Sequence, residues 1–104
     1  MIMTTSFIPT HPGEVLKDEL AFRGISQKEF AQRIGIPYTM LNDILNEKRP
    51  LSAANAILVE CALGISADLL IGLQIDYNMY FARRDRAVRS KASHIAPYPV
   101  SFAE

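Results

Sequence analysis

Through most of this chain apolar residues recur at helical spacing, and the recurrence is punctuated by three near-copies of one tripeptide: Gly24-Ile25-Ser26, Gly35-Ile36-Pro37 and Gly64-Ile65-Ser66. In each, the glycine can take the left-handed conformation that closes one helix, and the following Ser or Pro can open the next. Each therefore predicts a helix-to-helix corner. The isoleucine between them falls where a hydrophobic staple is expected, pairing Ile25 with Phe30, Ile36 with Leu41 and Ile65 with Leu70. Because the first two corners lie close together, only a very short helix fits between them. A short helix, a tight turn and a second helix form the skeleton of a helix-turn-helix.

The pattern predicts five helices. The first starts at His11-Pro12-Gly13-Glu14, with Pro12 suited to the first helical position, and carries Val15, Leu16, Leu20 and Phe22 inward to Gly24. The second runs from Ser26 to about Ile34, with Ser26 and Glu29 spaced as a capping box and Phe30, Ala31 and Ile34 as its buried stripe. The third runs from Pro37 to about Asn46 on Leu41, Ile44 and Leu45, leaving Tyr38, Thr39, Asn42 and Asp43 on other faces. Pro50 breaks the chain into a loop that holds Lys48 and Arg49. Ser52 opens a fourth helix, apolar nearly all round as far as Leu63, which predicts a buried central element. The fifth is expected from Ser66 to about Ser90, with Leu69, Leu73, Tyr77 and Phe81 at helical spacing and Leu70, Met79 and Tyr80 widening the stripe. Residues 1–9 read as an arm, 10–90 as one all-α domain, and 91–104, with Pro97 and Pro99, as an extended tail.

About half of the 104 residues are apolar, enough for one core. A single cysteine, Cys61, excludes a disulfide framework and a thiolate metal cluster, and points to a reducing, cytoplasmic setting. No signal peptide or membrane span is readable. Net charge is zero, which argues mildly against nucleic acid, yet its distribution is uneven. Through Ala82 nine acids face six bases; beyond it Arg83, Arg84, Arg86, Arg89 and Lys91 face only Asp85 and Glu104. This basic run is either a solvated helix end that complements the helix dipole or a set of phosphate contacts.

The third helix has the form needed to enter a major groove: short polar side chains near its start, cations just past its end. Thr39 and Asn42 can exchange hydrogen bonds with base edges, and Tyr38 can reach a base or a phosphate. Asp43 can accept from a cytosine amino group or orient Arg49. Gln27 and Lys28, where the preceding helix would cross the DNA backbone, join Lys48 and Arg49 as candidate phosphate contacts. Two half-sites one helical turn apart need two such helices at fixed spacing, which predicts a homodimer. Tyr77, Tyr80 and Phe81 are the candidate interface, with packing on their own chain's core as the alternative.

His11-Pro-Gly-Glu14, Ser26-Gln27-Lys28-Glu29-Phe30-Ala31, Gly35-Ile36-Pro37, Leu41-Asn42-Asp43-Ile44-Leu45, Lys48-Arg49 and Ala62-Leu63-Gly64 together resemble the HigA/VapI type of antitoxin within the lambda-repressor-like helix-turn-helix superfamily. The match covers roughly residues 8–84. What the resemblance implies is a five-helix DNA-binding fold, a homodimer that represses its own operon at a palindromic operator on double-stranded DNA, and neutralisation of a HigB-type toxin, a RelE-like ribonuclease. One position departs from the pattern: Glu47 stands where the family commonly carries glycine. Two other classes remain open at this level, a phage-type regulator without a toxin and an interaction module that has lost DNA binding.

The remaining chemically suggestive residues have plain readings. His11, beside Pro12 at a helix start, reads as a capping group rather than a catalytic one. Cys61 reads as a small buried hydrophobe, and neither it nor His94 has a partner at metal-ligand or nucleophile spacing. No enzyme and no cofactor are expected.

Overall fold

The computed structural model describes residues 8–100; the proposed arm up to Phe7 and the last four residues lie outside the described residues. Six helices follow one another: α1 (Pro12–Arg23), α2 (Gln27–Ile34), α3 (Tyr38–Leu45), α4 (Ala53–Leu63), α5 (Ala67–Arg84) and α6 (Arg86–Ser93). No strand occurs among the described residues. Gly24, Gly35 and Gly64 all take positive φ and close α1, α2 and α4. The hydroxyls of Ser26, Ser52 and Ser66 accept from the amides of Glu29, Asn55 and Leu69, so α2, α4 and α5 begin where the tripeptide pattern and Ser52 place them. Ile25, Ile36 and Ile65 pack on the core that holds Phe30, Leu41 and Leu70.

That core draws Leu16 and Leu20 from α1, Phe30 and Ala31 from α2, Leu41, Ile44 and Leu45 from α3, and smaller residues of α4 and α5. α1 lies between α3 and α5, and its start presses on the end of α3. A Cβ added to Gly13 would run into the backbone carbonyl oxygen of Ile44, so only glycine permits this approach.

Several expectations are corrected. The fifth helix ends at Arg84, not near Ser90, because the Asp85 backbone is extended and its carboxylate caps a new helix by accepting from the Val88 amide at 3.0 Å. Phe22 is 87 % exposed rather than inward, since α1 turns Leu16 and Leu20 to the core. α4 is not buried all round: it buries Ala56, Val59 and Leu63, one stripe at helical spacing, and leaves Ile57, Leu58 and Cys61 exposed. The inward stripe of α5 is Ala67, Leu70 and Gln74, not Leu69 and Phe81. Gln74, only 5 % exposed, accepts from the Leu51 amide at 2.8 Å and donates to the Asn78 side chain at 2.9 Å. It thereby satisfies the buried backbone amide just past Pro50, a role no apolar residue can take.

Glu47 resolves the departure noted above. It adopts φ 64°, the left-handed conformation that favours glycine. Its amide donates to the Ile44 carbonyl at 3.1 Å and the Lys48 amide to the Asp43 carbonyl at 2.8 Å, a Schellman closure of α3. The turn geometry is kept and the strain accepted. Glu47→Gly is therefore expected to raise stability by about 1 kcal/mol, measured as a higher midpoint of chemical unfolding; an unchanged or lower midpoint would show that the position carries no strain.

Candidate nucleic-acid interface

α2 and α3 pack together at the Gly35 corner, burying Phe30 and Ala31 of the first against Leu41, Ile44 and Leu45 of the second. Their polar faces are left on one side. Ser26, Gln27, Lys28, Tyr38 and Asn42 line a single open hollow across the junction. Four of the residues expected to meet DNA are thus brought together, from two helices that are separate in sequence. Tyr38 is 47 % exposed, Thr39 is exposed beside it, and Asn42 and Asp43 are half-buried at their bases.

Within this face the side chains are already ordered. The Asn42 amide donates to Gln27 Oε1 at 3.0 Å, Asn46 Nδ2 donates to Asn42 Oδ1 at 3.2 Å, and Lys17 Nζ donates to Asn46 Oδ1 at 3.2 Å. A chain of hydrogen bonds therefore runs from α1 across the end of α3 to the start of α2. Gln27 is consequently tied to Asn42 rather than free on the surface. Asn46 and Lys17 were not anticipated. Asn46, which caps the end of α3, follows Asn42 by four residues, so spacing alone places the two side by side; Lys17, in contrast, arrives through tertiary packing.

Lys48 and Arg49 are exposed in the loop beyond α3. Arg49 lies 3.8 Å from the Asp43 carboxylate, with both side chains about half exposed, which makes a weak and easily exchanged pair. Such a contact orients the guanidinium without neutralising it. Behind the loop stands His11, 2 % exposed. Its Nδ1 accepts from the Gly13 amide at 2.8 Å, the capping role expected of it, and the ring lies close to the Arg49 backbone. Burial pushes its pKa below the usual histidine value, opposed by the nearby Glu47 charge and by the Arg49 backbone. A neutral ring suits a group whose Nδ1 must accept. His11 thus stands behind the cationic loop, on its inner side.

The residues expected at a dimer interface are placed differently from one another. Tyr77 packs edge-on to the His11 ring at 4.7 Å and against Phe81 at 4.7 Å, so it serves its own chain first. Tyr80 meets Phe81 at 5.1 Å and is covered by the Arg84 guanidinium. Phe81 remains 45 % exposed, with Leu69, Ile75 and Met79 also exposed along α5. Among the described residues no group of His, Cys, Asp and Glu side chains is arranged to hold a metal ion, and no helix is long and apolar enough to cross a membrane.

A two-helix reader with an ordered polar face and a cationic loop defines a protein of the helix-turn-helix class. The Helix-turn-helix family model matches residues 16–70, more than half the chain. An antitoxin HigA from Pseudomonas aeruginosa, solved with higBA promoter, is 32 % identical, covers 86 % of this chain and 97 % of its own, and superposes with a TM-score of 0.75. An addiction module antidote protein of the HigA family from Coxiella burnetii is 28 % identical, with 88 % and 100 % covered and a TM-score of 0.75. Virulence-associated protein I of Dichelobacter nodosus is 29 % identical over 77 residues, 73 % of this chain and 71 % of that protein. The chain belongs to the lambda-repressor-like helix-turn-helix family, in its HigA/VapI-type branch.

Proposed function

We propose that this chain is the antitoxin of a type II toxin–antitoxin module, which binds a palindromic operator as a homodimer, represses its own operon and neutralises a HigB-type ribonuclease. The observation that carries the DNA-binding part is the open polar face of α3, with Asn42 held between Gln27 and Asn46 and free on its outer side. In this reading Tyr38, Thr39, Asn42 and Asp43 meet base edges, while Gln27, Lys28, Lys48 and Arg49 position the protein on phosphates. The solved promoter complex of the P. aeruginosa antitoxin supports the same use of the fold. Dimerisation is assigned to the exposed part of the α5 stripe around Phe81, with Tyr80 at its edge. The toxin follows from family membership alone.

Titration of the protein against its own upstream DNA across a salt series tests the first part: a two-fold symmetric footprint and steep salt dependence are expected. Absent or salt-insensitive binding would defeat the repressor reading. Arg49→Ala should weaken binding to operator and random duplex alike and flatten the logarithmic salt slope by about 0.9 per lost phosphate contact; an unchanged slope would remove Arg49 from the phosphate contacts. Copurification from the native operon, with the mass of the complex measured, tests the toxin and the dimer together. A monomer without a bound ribonuclease would overturn both.

A further inference from the structure

The basic run beyond Ala82 is not a simple helix end. In one unbroken helix, at roughly 100° per residue, Arg84 would point nearly opposite to Arg86 and Arg89. The break at Asp85 changes this. With Asp85 extended and α6 starting afresh, Arg84, Arg86, Arg89 and Ser90 line one open surface hollow. Neither glycine nor proline makes the break; the Asp85 side chain does, by turning onto the Val88 amide.

Among the described residues the cations gathered there form no ion pair. The ion pairs among the described residues involve Arg23 and Arg49, and none of the described carboxylates is paired with Arg84, Arg86 or Arg89. Arg84 is held in place, its guanidinium 3.6 Å from the centre of the Tyr80 ring and donating to the Tyr80 carbonyl at 3.1 Å. Arg86 stands in the first turn of α6, which contains no acid. A cation there opposes the helix dipole, so the reading as a dipole-complementing terminus fails for this residue. α6 also buries nothing, which leaves its arginines fully presented.

Three guanidinium groups around one hollow call for an anion, and phosphate is the anion a helix-turn-helix protein meets. Arg84 rests on Tyr80, Tyr80 on Phe81, Phe81 on Tyr77, Tyr77 on His11, and His11 on the backbone of Arg49. A continuous stack of rings thus joins the new cluster to the loop already assigned to phosphates. We propose that Arg84, Arg86 and Arg89 form a second phosphate-gripping surface for duplex DNA, separate from α2, α3 and the 48–49 loop. The inference rests on the DNA-binding reading above and adds to it a contact outside the helix-turn-helix.

The test uses the full-length protein with two triple variants, Arg84→Gln/Arg86→Gln/Arg89→Gln and the charge-keeping Arg84→Lys/Arg86→Lys/Arg89→Lys. Each is titrated against upstream DNA and a random duplex of equal length across a salt series. The glutamine variant is expected to lose affinity by a similar factor on both duplexes, with a slope shallower by about 0.9 per lost contact in each protomer, while the lysine variant keeps most of the slope. A glutamine variant with wild-type slope on DNA that the wild-type protein binds would overturn this inference and leave the repressor reading intact. Equal losses in the two variants would show that the arginines act through their packing, which also overturns it. A wild-type protein that binds neither duplex defeats the repressor reading, and this inference falls with it.

Discussion

Gly13→Ala is expected to destabilise the fold by about 2 kcal/mol or more, although alanine is ordinarily the better helix former by about 1 kcal/mol. The sign is decided by what the new methyl meets. It is not the mobile tip of a side chain but the Ile44 carbonyl oxygen, with the His11 ring at 3.0 Å on another side. Neither can yield alone, because Ile44 and His11 are both buried, and the Ile44 carbonyl accepts the Glu47 amide that closes α3. Relief requires α1 to back away from α3, which loosens Leu16 against Ile44 and withdraws His11 from the Arg49 loop. Two readouts should therefore move together: the midpoint of chemical unfolding falls, and DNA affinity falls more than the loss of folded protein accounts for. A variant as stable as the parent would show that the helices have room to spare.

What could be read from the chain follows the range of the forces involved. The corners are local, so Gly24, Gly35 and Gly64 and the serine caps sit where the pattern puts them. The polar face of α3 was legible for the same reason: a short helix with three core residues fixes the side that Thr39 and Asn42 occupy. The break at Asp85 was hidden because an aspartate within an arginine-rich run serves equally as a helical ion-pair partner and as a cap. α4 was misread because an almost wholly apolar helix has no preferred side in sequence; its neighbours decide, and they cover Ala56, Val59 and Leu63 and leave Cys61 in the open. Gln74 was passed over as polar in an apolar stripe. Its task, capturing the Leu51 amide, exists only once α5 has packed beside the loop after Pro50. Gly13, read as part of a helix start, likewise shows its purpose only when α3 arrives against it.

For the proposed reading face itself, Asn42→Ala is expected to lower the preference for operator over random duplex by roughly 1–3 kcal/mol, about five- to 150-fold. Asn42 stands in the middle of the hydrogen-bonded chain, donating to Gln27 and accepting from Asn46. Truncation therefore removes the group proposed to meet base edges and frees both neighbours to rotate away from their ordered positions. Folding should be little affected, since the side chain is half exposed and its partners can turn to water. Asn46→Ala separates the two contributions. It leaves the reader in place and removes only the hydrogen bonds to Asn42 and Lys17, so a smaller loss of discrimination is expected. In both variants binding to random DNA and its salt slope should stay near the parent values, because neither residue carries charge. If Asn42→Ala weakened both duplexes by the same factor, Asn42 would be a positioning contact on the DNA backbone, and base recognition would pass to Tyr38, Thr39 and Asp43.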